Sequence, residues 1–109
     1  MNRTIMFEYN GKEYTLEFTR KTVQEMDREG FKVQDVDTYP ATMIPKLFAG
    51  AFKAHHRHLK QPVIDEIFDS ISNRYELIEK LAEMYMEPIQ ALMDEPDEDT
   101  GKNVDWVAS

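Results

Sequence analysis

Residues 4–18 read TIMFEYNGKEYTLEF, and this stretch decides the fold. Apolar and polar residues alternate over Thr4–Tyr9 and again over Lys12–Phe18, with Asn10-Gly11 between them. Asn-Gly favours a two-residue type I′ turn, because both of its positions need positive φ. The turn fixes a register: Tyr9 opposite Lys12, Phe7 opposite Tyr14, Ile5 opposite Leu16 and Arg3 opposite Phe18. One face then collects Ile5, Phe7, Tyr14, Leu16 and Phe18, and the other Thr4, Met6, Glu8, Glu13, Thr15 and Glu17. Turn chemistry and hydrophobic pattern agree on a β-hairpin. A lone hairpin is marginal, so its apolar face needs helices against it.

The residues that follow supply them. Thr19 caps a helix predicted over about 20–29, with Val23 and Met26 inward, Gly30 as its stop and Phe31 packing back. Lys32–Tyr39 has no period and reads as a loop. Thr42 caps a second helix over 43–57, with Pro45 in its first turn and Ile44, Leu47, Phe48, Ala51, Phe52 and His55 on one face. Pro62 opens a third over 62–72, burying Val63 or Ile64, Ile67, Phe68 and Ile71. Asn73 and Glu76 resemble a capping box at the start of a fourth over 74–93. Its stripe is Leu77, Ile78, Leu81, Met84 or Tyr85, Ile89 and Leu92, and Pro88 should bend the helix or end it near Met86. The expectation is one α+β domain over 1–93: a hairpin packed on a bundle of about four helices. Residues 94–109 are expected to form a disordered acidic tail.

Composition narrows the function classes. The chain has 109 residues, 41% hydrophobic and 31% charged, which suits a single globular domain. No apolar run nears the ~20 residues that cross a bilayer, and the first residues alternate rather than forming a signal-peptide core. There are no cysteines, so disulfides and thiolate chemistry are excluded, and a cytoplasmic setting fits. The net charge is −8, and residues 94–109 hold six acids against Lys102. An acidic chain repels phosphate backbones, which argues against a nucleic-acid partner.

Catalytic signatures are missing. His55, His56 and His58 lie in KAHHRHLK, and His55 and His58 would share a face if that segment were helical. No HExxH motif or matching carboxylate completes a metal site, so the cluster reads as a basic helix end, with no metal or cofactor expected. Asp65, Glu66 and Asp69 suit the first turns of a helix, and Glu76 sits four residues before Lys80. No serine has nucleophile-elbow glycines, and the four glycines do not form a phosphate loop. The reading is non-enzymatic.

Seven methionines and twelve aromatic residues are the more informative excess. Met84 and Met86 flank Tyr85, and Met93 follows. Thioethers adapt to irregular partners. Gap-filling in the core is the plainer use, but so many large apolar groups suggest an exposed face for a partner or for a homo-oligomer.

The segments FEYNGKEYTLEFTRKTVQEMDREGF (7–31) and TMIPKLFAGAFKAHH (42–56), with Ile64-Asp65-Glu66-Ile67, resemble a family of short uncharacterised proteins. These are encoded in phage and prophage tail modules of Gram-positive hosts, and the resemblance spans roughly residues 4–93. It implies a tail assembly chaperone that binds the tape-measure protein and recruits tail-tube subunits in the host cytoplasm. A structural tail or head–tail joining component is the alternative. The family offers no catalytic motif to carry over. The residues expected to hold the partner are Leu47, Phe48, Phe52, Met84, Tyr85, Ile89 and Met93.

Overall fold

The computed structural model describes residues 3–94 and 104–108. It is an α+β fold: strands β1 (Thr4–Tyr9) and β2 (Lys12–Glu17), then helices α1 (Arg20–Arg28), α2 (Pro40–Ala51), α3 (Gln61–Ser70) and α4 (Arg74–Ala91). The expected flexibility of 94–109 concerns a stretch that lies largely outside the described residues.

The hairpin forms in the register that its turn dictates. Tyr9 pairs with Lys12, Phe7 with Tyr14 and Ile5 with Leu16, and pairing begins at Thr4–Glu17. Asn10 and Gly11 both adopt positive φ, at 52° and 78°. On the inner face Tyr14, Leu16 and Phe18 are buried, while Ile5 and Phe7 are half-buried.

Thr19 accepts a hydrogen bond from the Thr22 amide at 3.1 Å, capping α1. At the other end the Phe31 amide donates to the Met26 carbonyl and the Gly30 amide to that of Asp27. Gly30 stands at φ 93°, completing a Schellman stop. Phe31 and Met26 are both buried behind it.

Five expectations need correction. Val33–Asp35, read as loop, is a short 3-10 turn. Helix α2 starts at Pro40, not after Thr42, because proline at the first helical position is pre-set in φ and the Tyr39 carbonyl accepts from Met43. It also stops at Ala51 instead of running to 57, since the chain then turns to bring His56 onto strand β2. Asn73 makes no side-chain cap: it sits in the left-handed region (φ 54°, ψ 44°), whereas a capping side chain needs an extended N-cap. Pro88 does not end α4 near Met86; the helix runs on to Ala91 with Pro88 on its buried side.

The core joins these elements through rings. Phe52 meets Phe7, Tyr14 and Phe48 at centroid distances of 6.3, 6.0 and 5.1 Å, and Phe48 reaches Phe68 at 5.1 Å. On the far side Tyr85 meets Phe18 and Phe31 at 5.4 and 5.0 Å. Such pairs add about 0.5–1.5 kcal/mol each beyond area burial. Burial, with a smaller effect from Asp27, pushes the Tyr85 hydroxyl up to about 12. No helix among the described residues is long and apolar enough to cross a membrane.

Candidate functional site

Five of the seven residues expected to hold a partner belong to this core. Leu47, Phe48, Phe52, Met84 and Tyr85 are all buried within the domain. They cannot form a docking face while it is folded, and their role is packing. Ile89 is half-buried against the core. Met93 is 87% exposed. Met26 and Met43 are buried as well, so half of the described methionine and aromatic side chains lie in the interior. Large apolar side chains left exposed among the described residues are Met6, Tyr39, Tyr75, Leu92, Met93, Val104, Trp106 and Val107.

Tyr75 marks the surface that periodicity did not single out. It is 80% exposed and stands on the first turn of α4. The first half of α4 projects between two grooves. The larger, of about 820 Å³, lies between the 3-10 turn, the start of α2, Phe68 of α3 and α4. Its apolar lining is Val33, Val36, Ile44, Phe68, Tyr75, Ile78 and Ala82, with Asp37, Arg74, Glu79 and Glu83 among its polar lining. The guanidinium of Arg74 sits 5.4 Å from the Phe68 ring centroid. Among the described residues Arg74 makes no ion pair with a carboxylate, whereas Glu83 lies 3.4 Å from Arg3. The smaller groove, of about 480 Å³, runs along the other side of α4 past Ile5, Phe7, Ile71 and Leu77, with Lys80 and Glu76 in its lining. Both volumes fall in the range that accommodates a bound ligand or side-chain cluster.

Why α4 stands free at this end follows from its start. The left-handed Asn73 redirects the chain after α3, and the helix gains its deep packing only from Leu81 onward. Its first half buries no residue fully, although Leu77 and Ile78 are half-buried. A stripe of apolar residues in the sequence does not distinguish a half-covered turn from a covered one.

The histidines are organised differently. With α2 ending at Ala51, His55 and His58 no longer share a helical face. The Nε2 of His55 lies 2.6 Å from Glu17. The Nε2 of His56 accepts the Thr15 amide at 3.0 Å, and its ring lies 5.1 Å from that of Tyr14. Burial lowers the His56 pKa, helped by the nearby Lys12 and His55 charges. An acceptor nitrogen must be unprotonated, so bond and shift favour the same state. These two rings tie strand β2 to the segment after α2. Further ties are the paired bonds of Arg57 to Glu25 at 3.0 and 3.1 Å, which hold the Glu25 carboxyl below its usual range, and the bond from Tyr9 to Glu66 at 2.9 Å. Among the described residues no group of three or more histidine or carboxylate side chains is placed to hold a metal ion.

Fold and surface thus define a small α+β domain that carries two apolar grooves beside one helix. The chain belongs to the DUF5055 family, a domain of unknown function, whose profile matches residues 1–109. No curated protein and no solved structure matches it.

Proposed function

We propose that this DUF5055 protein is a non-catalytic binding module that holds an apolar segment of another protein in the larger groove beside α4. The observation that carries the reading is Tyr75, almost wholly in water at the lip of a groove lined by Val33, Val36, Ile44, Ile78 and Ala82. An exposed aromatic beside an apolar cleft is the usual anatomy of a binding hot spot. A helical segment with apolar residues at i, i+3/i+4 and i+7 matches such a cleft.

The resemblance of residues 4–93 to short phage tail-module proteins gives the partner a class. On that basis the module acts as a tail assembly chaperone in the host cytoplasm, gripping the tape-measure protein and meeting tail-tube subunits. Co-expression with the tape-measure protein encoded beside it is the test. The expected result is a soluble complex that Tyr75→Ala weakens; tape-measure solubility unchanged by this chain would overturn the reading.

The alternative is a structural tail or head–tail joining component, and one observation favours it. The sheet has two strands, and Met6 is exposed on the outer face of its first strand. Unpaired strand edges are templates for self-association. Mass spectrometry of purified virions separates the two: an assembly factor is missing from them, and a structural component is present.

A further inference from the structure

The two edges of the hairpin are not alike. Across a two-residue turn Tyr9 and Lys12 exchange backbone hydrogen bonds, so bonded pairs recur at Phe7–Tyr14 and Ile5–Leu16. Backbone groups of the residues between these pairs point away from the partner strand. The Thr15 amide shows this parity, since it leaves β2 on the outside and donates to Nε2 of His56. The segment after α2 thus closes the middle of the β2 edge. On β1 the outward groups belong to Thr4, Met6 and Glu8, and no hydrogen bond engages them among the described residues. All three residues are exposed. Alongside this edge lies the smaller groove, where Ile5 and Phe7 are left half-buried beside Ile71 and Leu77.

We propose that the β1 edge is a strand-addition site for an extended segment of another protein in which apolar and basic residues alternate. Pairing over Thr4–Glu8 takes about 17 Å of extended chain. Successive side chains of an added strand fall on opposite faces of the sheet. Those beside Ile5 and Phe7 enter the apolar groove, whose two charges, Glu76 and Lys80, are of opposite sign and favour neither sign of partner. The outer face decides the charge.

That face consists of Thr4, Met6, Glu8, Glu13, Thr15 and Glu17, with acids among them and no base. Glu17 lies against His55. Glu8 and Glu13 stand directly opposite each other, and among the described residues neither forms an ion pair. Like charges directly opposite destabilise a strand pair, and side chains approach most closely in a non-bonded pair such as this one. A lysine or arginine placed beside Glu8 by an added strand offsets that repulsion. A second copy of this chain supplies none. Pairing β1 with itself about Met6 sets Thr4 against Glu8 on the outer face and joins two chains that each carry a net charge of −8. Charge therefore selects a basic strand over a homodimer. The edge lies across α4 from the groove that Tyr75 overlooks, so it is a second contact, independent of the one proposed above.

The probes are a short fluorescein-labelled peptide of alternating valine and lysine and its valine–glutamate counterpart, titrated with the full chain. Anisotropy should show saturable binding of the lysine peptide, about tenfold or more tighter than the glutamate peptide and weakened by added salt. In the complex the Met6 and Glu8 amides should exchange more slowly by NMR, while those of Phe7 and Tyr9, already bonded to β2, change little. Met6→Pro removes an outward N–H but no bond to β2, a change that edge strands tolerate, and should abolish binding. Glu8→Lys should weaken the lysine peptide about tenfold. Tyr75→Ala should leave it unchanged. Far-UV circular dichroism and the melting temperature check that each variant is folded. No saturable binding, equal binding of the two peptides, or binding indifferent to both edge variants would overturn the proposal. So would sedimentation of the chain alone as a dimer that Met6→Pro dissolves, which gives the edge to a second copy. None of these measurements involves the tape-measure protein, so their failure leaves the groove reading to its own test, and a failed co-expression leaves the peptide result standing.

Discussion

The two halves of α4 carry similar apolar stripes and meet different fates. From Leu81 to Pro88 the helix is locked in, with Leu81, Met84 and Tyr85 buried and Tyr85 set between Phe18 and Phe31. From Arg74 to Lys80 no residue is fully buried, and grooves run on both sides. The difference lies in the neighbours. Phe18, just after the hairpin, and Phe31, just after α1, close on Tyr85 in the second half, while a redirected chain at Asn73 leaves the first half standing out. A core half is expected to answer mutation with lost stability, and an open half with lost binding.

That contrast can be broken most forcefully at the ring cluster. Phe52→Ala removes the centre of the Phe7, Tyr14 and Phe48 contacts and should cost about 3–5 kcal/mol, read from the urea midpoint at constant slope. A loss under about 1 kcal/mol would mean that Phe52 is not the core residue described above.

Gly50→Ala probes the crossing of α1 and α2. A Cβ there would collide with the Sδ and Cε of Met26, a buried side chain that would have to shift. Overpacking of this kind costs about 1–3 kcal/mol, and Met26→Ala in the same chain should recover part of it.

His56 gives a smaller effect with a pH signature. Its pKa is lowered in the fold, so the unfolded chain binds the proton more readily just below the ordinary value of 6.5. Stability from this group is fully present above 6.5 and is lost as pH falls through the lowered pKa. His56→Ala should cost about 1 kcal/mol at neutral pH, by leaving the Thr15 amide without its acceptor, and should flatten the fall in stability just below pH 6.5. Thermal melts at pH 7.5 and at 5.5 in both proteins check it, and an unchanged slope would count against the bond.

Smallest in stability and largest in function is Tyr75→Ala. Its exposure predicts a change within about 0.5 kcal/mol, while capture of the proposed tape-measure partner should fall. If Tyr75→Ala destabilised the fold as Phe52→Ala does, the distinction between the two halves would disappear.

How much of this was legible in the sequence depended on how local the cause was. Asn10-Gly11 fixes the hairpin register, and Thr19 and Gly30 fix the ends of α1, because each acts through its own backbone within a few residues. The start of α2 turned on two competing local signals, and proline at position 40 prevailed over Thr42. Its end at Ala51 and the left-handed Asn73 depend on contacts made after the chain has folded, such as His56 with Thr15. The site was harder still. Leu47, Phe48, Phe52, Met84 and Tyr85 have the composition of a sticky face, but composition cannot say which side of a helix its neighbours cover. The signal available for the groove was Tyr75, which lies off the apolar stripe of α4 beside Arg74. A large aromatic outside the inward face is a surface residue by pattern alone.

Hydrogen exchange on the chain with the proposed tape-measure partner added, compared with the free chain, tests most directly where a partner sits. The groove account predicts new protection at residues 33–37 and 74–83, with the hairpin and the second half of α4 little changed. New protection confined to the hairpin edge, with α4 exchanging as before, would contradict it.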